Sequence, residues 1–356
     1  MKCLKYVLLL VGVVIFFSNL AVACTTFCFM NNGEWVYGRN YDWYTEHCLI
    51  MVNKRGVAKT ALTRDDPASW VSKYGSITFN QYGREFPLGG VNEAGLVIEI
   101  MWLEQTEYPH PDSRKGLSDL QWVQYQLDNC STVAEVIASD DVVRITVRRA
   151  TPLHFFVCDR TGKAAAIEFL EGEMVVHTGR DLPVCALTNN TYAYSLKLFE
   201  EYGGNETTEP FSSANNSLKR FVWAGNGVKQ WSSKGEDSPV DHAFGILEKV
   251  SVSPTMFRIV YDVGNSRIYY RCKSNPVVRY IEFDHFDYSC DKPVKVLDII
   301  TGNAGNVTGL FVDYTYEANY DLINRSYADT EFLQGVPDSL RVMVARYPEN
   351  MPCSEQ

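Results

Sequence analysis

Cys24 to Met30 alternates in side-chain character and runs directly into Asn31-Asn32-Gly33, and this short stretch restricts the fold more than any other. Thr25, Phe27 and Phe29 fall on one face and Cys24, Thr26 and Cys28 on the other, the period-2 pattern of a strand. Asn-Gly supplies the positive φ that a two-residue hairpin turn demands, and Trp35 to Asn40 returns. A turn centred on Asn32-Gly33 sets Thr26 against Arg39 and Cys24 against Tyr41, with Phe27, Phe29 and Val36 on the apolar face. The other face then carries Cys24, Thr26, Arg39 and Tyr41. A diagonal Cys24/Arg39 pair lies roughly 7–8 Å apart between backbone positions, a gap that a guanidinium spans. Its charge favours thiolate over thiol, and Asp42 just beyond is placed to orient an α-amine or the arginine itself.

An α-amine enters because of what precedes Cys24. Lys2 and Lys5, the apolar run from Tyr6 to Phe17 and the small-residue site Ala21-Val22-Ala23 read as a secretory signal over residues 1–23, which makes the protein secreted or periplasmic. The run is short for a stable membrane span, and no later segment reaches the needed length. Cleavage after Ala23 makes Cys24 the N-terminus, so that a thiol and a free amine, a nucleophile and its base, sit on one residue. Lipoprotein processing also exposes a cysteine, although Ala21-Val22-Ala23 lacks the leucine usual three places before it. A lipid-anchored secreted binding protein is therefore the rival reading from another class. Residues 24–356 contain no repeat, low-complexity tract or separating linker and read as a single domain. A net charge of -10 argues against nucleic-acid binding, which needs a surplus of Lys and Arg.

Cys3 leaves with the signal, and nine cysteines remain; their pairing is open, and the odd number leaves at least one sulfur unpaired within the chain, for which Cys24 is the natural candidate. No C-x-x-C or close His/Cys cluster supports a zinc site. His47, His110, His154, His177, His242 and His285 are scattered, so a papain-like Cys-His pair stays open on sequence grounds.

Cys24-Thr25-Thr26 followed by Gly38-Arg39-Asn40-Tyr41-Asp42 resembles the choloylglycine hydrolase family, which includes bile salt hydrolases and penicillin V acylases. The resemblance continues through Lys73-Tyr74, Gly90-Val91-Asn92-Glu93-Ala94-Gly95-Leu96, Leu187-Thr188-Asn189-Asn190, Ser217-Leu218-Lys219-Arg220-Phe221 and Thr255 to Tyr270, covering Cys24 to about Phe283. It implies an α+β fold, the four-layer αββα sandwich of N-terminal nucleophile hydrolases. It implies hydrolysis of a linear amide of a small N-acyl substrate, with no metal or organic cofactor, in a homotetramer. Position by position it makes Cys24 the nucleophile, with Arg39, Asp42, Asn189 and Arg220 completing the catalytic set and Asn189 N–H groups holding the oxyanion. Trp102 stands where bile salt hydrolases carry an asparagine and some penicillin acylases a tyrosine. An indole offers an N–H but no carbonyl, so a penicillin V-like or N-acyl homoserine lactone-like amide, aromatic acyl groups first, ranks above a conjugated bile salt. Trp43 and Trp102 are candidate substrate-pocket walls.

The remaining chain reads as strands interleaved with helices. Leu96 to Leu103 is an apolar strand containing one acid, Glu99. Leu117 to Leu127 has helical spacing, and Thr132-x-x-Glu135 is a capping box for a helix to about Ser139. Hairpins are expected at His154–Leu170 and Met256–Cys272, with a further strand from Val277 to Phe283. Helices are expected at Ser217–Ala224 and at Pro239–Val250, the latter with Ser238 as cap. The polar stretch Gly203 to Asn216 reads as a loop near the substrate mouth.

Overall fold

A computed structural model describes residues 23–146, 151–202, 215–231, 238–252 and 255–354. The signal reading of residues 1–22 and most of the expected loop, 203–214, lie outside the described residues.

The first hairpin has the register that its turn dictates. Thr25–Asn31 pairs with Glu34–Asp42, Thr26 opposite Arg39 and Phe29 opposite Val36. Asn32 and Gly33 sit at φ 50° and 89°, as a primed turn requires. A Cβ on Gly38 would stand 2.3 Å from the Phe27 ring, so the apolar face closes only because that position lacks a side chain.

The hairpin supplies the second and third strands of a seven-stranded sheet among the described residues. Glu34–Asp42 pairs onward with Thr255–Asp262, and Thr25–Asn31 pairs with Ala186–Leu187. A nine-stranded sheet faces it, with Leu153–Cys158, Val97–Trp102, Pro87–Asn92 and Ser76–Asn80 at its centre. These central strands are buried along most of their length, and Val97–Trp102 and Leu153–Cys158 accordingly read as near-continuous apolar runs. Phe79 of the nine-stranded sheet stacks on Phe257 of the other at 6.2 Å, and Tyr37 donates across to the Phe156 carbonyl at 3.3 Å. Asn216–Gln230 and Pro239–Lys249 cover the seven-stranded sheet, and Asp119–Asn129 covers the nine-stranded one, giving the four-layer αββα order.

Local signals place most elements. Thr132 and Glu135 form the reciprocal capping box of Val133–Ala138, and Ser238 caps a helix that begins on Pro239. Two expectations need correction. Leu117 belongs to the short strand Lys115–Leu117, paired with Val143–Ile145, and Ser118 caps a helix that starts at Asp119. The helix after Asn215 runs to Gln230, well past Ala224. The Gly90–Leu96 motif has a structural role: the Asn92 side chain accepts from the N–H of Ala94 and Leu96 and donates to the carbonyls of Leu127 and Cys130.

Beyond these layers, helices Tyr316–Asp329 and Asp338–Arg346 pack against each other. Asn319 joins them to the main body, accepting from the Arg84 N–H at 2.9 Å and donating to the Ala345 carbonyl at 3.2 Å. A Cys290–Cys353 disulfide closes a loop that contains both helices, while Cys24, Cys28, Cys48, Cys130, Cys158, Cys185 and Cys272 are free thiols. No helix among the described residues is long and apolar enough to cross a membrane.

Candidate active site

Cys24 stands at the head of a central strand, 3% exposed, on the rim of a cavity of about 290 Å³. Its position follows from the hairpin: the turn at Asn32-Gly33 brings Arg39 and Asp42, on the return strand, alongside it. Burial pushes the Cys24 thiol up. The Arg39 charge and a hydrogen bond from the Asp42 backbone N–H pull it back, and the Asp42 carboxylate adds to the rise.

Arg39 is fully buried, and its ion-pair partner among the described residues is Glu99; Asp42, one of whose sequence-based readings was to orient this arginine, does not pair with it. The guanidinium also donates to the carbonyls of Leu88 and Ile100, both at 3.2 Å, and lies 5.0 Å from the Tyr41 ring centre. Tyr261 holds the other Glu99 oxygen. Glu99 was visible in the sequence only as the lone acid of an apolar strand. Its carboxylate presses on the opposite strand at Gly89, where a Cβ would stand 2.0 Å away. A buried cation needs such pairing, and the pair bridges the two sheets directly behind the thiol.

Asp42 is also buried. Thr255, its cross-strand neighbour, donates to one oxygen, and the other has no hydrogen-bond partner among the described residues. Burial pushes its carboxyl up to about 7 despite the pull of Arg220.

Arg220 comes from the second turn of Asn216–Gln230 and is buried. It donates to the Cys24 carbonyl and the Thr25 hydroxyl, both at 2.5 Å, and to the Asn189 side-chain oxygen at 2.9 Å. Asn189 Nδ2 donates to the Trp102 carbonyl at 2.8 Å, and the Asn189 backbone N–H is taken by Ser217 Oγ at 2.9 Å. Of the expected Asn189 N–H donors, among the described residues only one hydrogen of the side-chain amide is left without a partner. His154 fixes this region from behind, bonded to the Thr188 carbonyl at 2.7 Å and to Glu168 at 3.1 Å. Among the described residues no histidine lines the cavity beside Cys24.

Trp43 and Trp102 do line that cavity, 6.3 Å apart between ring centres. The Trp102 indole N–H donates to Glu104 at 3.0 Å. Trp43 donates to the Tyr82 hydroxyl. The remaining lining is largely apolar, from Leu88, Ile100, Leu120 and Leu153, with Phe332, Leu333 and Val344 contributed from near the C-terminus. Sequence reasoning gave these last three no role.

A four-layer αββα sandwich with a cysteine heading a central strand, beside a buried arginine and aspartate, defines the class of N-terminal nucleophile amide hydrolases. Residues 24–244, more than half of the chain, match the linear amide C–N hydrolases of the choloylglycine hydrolase family, and the chain belongs to that family. It is 24% identical over 320 residues to a penicillin V acylase of Pectobacterium atrosepticum, covering 76% of this chain and 84% of the relative. The structure of penicillin V acylase from Agrobacterium tumefaciens superposes with a TM-score of 0.68 at 25% identity, covering 82% of this chain and 98% of the other. A conjugated bile acid hydrolase variant from Clostridium perfringens shares the fold, with a TM-score of 0.63 at 16% identity over 79% of this chain and 99% of that one.

Proposed function

We propose that this chain is an exported cysteine amidase that removes an apolar, preferably aromatic, acyl group from a linear amide, as in penicillin V or an N-acyl homoserine lactone. The observation that carries the reading is Cys24 at the rim of an apolar cavity, within the charge fields of Arg39, Asp42 and Arg220. Similarity to two penicillin V acylases supports the substrate order. At about 290 Å³ the cavity lies at the lower end of pockets for small ligands, which favours a single ring or short chain over a conjugated bile salt.

In the proposed reaction, cleavage after Ala23 frees the Cys24 amine, whose ordinary pKa is about 7.7–8.0. The amine takes the thiol proton, and the sulfur attacks the acyl carbonyl. Arg39 steadies the thiolate, and Asp42 accepts from the amine to orient it. The free Asn189 amide hydrogen meets the tetrahedral oxyanion. The amine then passes its proton to the leaving nitrogen, and water hydrolyses the thioester.

The test is intact mass and N-terminal sequencing of exported protein before and after iodoacetamide, followed by penicillin V hydrolysis. A processed chain beginning at Cys24, alkylated there and active until alkylated, is expected. Full activity in a chain that retains Ala23, or a lipidated Cys24, overturns the mechanism.

A further inference from the structure

The cavity beside Cys24 has a wall that does not come from the matched family region. The family model matches residues 24–244, and Phe332, Leu333 and Val344, which lie beyond that match, line the cavity together with Trp43. Phe332 is 54% exposed, which is unusual for a phenylalanine with defined aromatic neighbours. Its ring meets Trp43 edge-on at 6.2 Å and Tyr44 at 6.3 Å. Its backbone is positioned by a hydrogen-bonded chain: Trp43 donates to the Tyr82 hydroxyl, which shares a 3.2 Å hydrogen bond with Thr330 at the start of the 3₁₀ turn Glu331–Leu333. On the outside, Asp329 pairs with His47 at 2.8 Å, and Arg325 reaches the other His47 nitrogen at 3.2 Å. The segment is thus fixed to the loop after Asp42 at several points, with one face of the Phe332 ring left to solvent.

We propose that Phe332 and Val344 are specificity-determining residues, forming with Trp43 a slot that selects amides whose acyl group carries an aromatic ring. Aromatic rings favour edge-to-face and offset contacts with one another, and the converging Trp43 and Phe332 rings reward a flat ring over a flexible alkyl chain of similar apolar area. Val344 narrows the same cavity from the following helix, so its side-chain volume limits the width of the acyl group. This inference rests on the amidase reading for its activity assay, but the slot can be probed by binding alone.

The experiment compares the wild type, F332A, V344W and C24A. Steady-state hydrolysis of penicillin V and N-hexanoyl homoserine lactone gives the selectivity, and tryptophan fluorescence gives the affinity for phenoxyacetate. In F332A, the ratio of kcat/KM for penicillin V over the hexanoyl amide falls roughly fivefold, through KM rather than kcat. V344W, with thermal melting as its folding check, weakens phenoxyacetate binding about tenfold or more. Unchanged selectivity and unchanged phenoxyacetate affinity in F332A overturn the slot; if C24A is inactive in that case, the amidase reading survives. If the wild type hydrolyses neither amide, the amidase reading fails. The slot then stands if F332A and V344W weaken phenoxyacetate binding, and falls if they do not.

Discussion

Two buried side chains next to the thiol have opposite requirements. Arg39 is held by Glu99 in a fully buried pair, and removing one partner of such a pair leaves a charge that water does not reach. E99Q is therefore expected to lower unfolding free energy by roughly 3–5 kcal/mol, read as a shift in the urea midpoint. Asp42 behaves differently, because burial raises its carboxyl to about 7 in the folded chain from an ordinary 3.8. Between these values the folded state keeps a proton that the unfolded state has released, so stability falls as pH rises from about 4 to 7 and levels off above. The urea midpoint should accordingly drop between pH 5 and pH 8, and D42N should lessen that drop. C24A should reduce kcat/KM by at least about a thousandfold, as loss of a nucleophile does in other covalent hydrolases. At this scale Cys24, Arg39 and Asp42 were legible because they share one hairpin with a fixed register. Glu99 was not identified as a partner, because the contact crosses from one sheet to the other and leaves no trace in local spacing.

The elements nearest the site were the easiest to read. Asn32-Gly33 fixes the hairpin, Thr132/Glu135 and Ser238-Pro239 fix two helix starts, and the late hairpin occupies Thr255–Asp262 and Arg267–Cys272. Leu117 was misplaced because its strand is defined by pairing with Val143–Ile145, and a three-residue parallel ladder has no periodicity of its own to detect. Strand Pro87–Asn92 illustrates how an element imposes site geometry. At Gly89 the missing side chain leaves room for the Glu99 carboxylate, which in turn faces Arg39. G89A should force that carboxylate aside, cost about 1–3 kcal/mol through overpacking and slow the alkylation of Cys24 by iodoacetamide. A melt and an alkylation time course check both effects. If stability falls but alkylation is unchanged, the thiol does not depend on this arrangement.

Across the whole molecule, the αββα layers supply Cys24 and the charges around it, while a segment beyond the family-model match completes the cavity. Nothing in the sequence of that segment announced this, since Phe332, Leu333 and Val344 reach the site through tertiary packing and a disulfide whose pairing spacing alone left open. The Cys290–Cys353 bond closes a loop around both C-terminal helices. The double variant C290S/C353S should lose roughly 2–5 kcal/mol of stability, measured by denaturation with and without reductant. The cross-link also has a consequence in time. Cys24 and Arg39 are synthesised early, and Cys353 emerges more than 300 residues after them. A nascent chain that has already formed its first hairpin thus lacks the cavity wall that residues 332–344 supply, and the cross-link that encloses that segment cannot close until nearly the whole chain has been made.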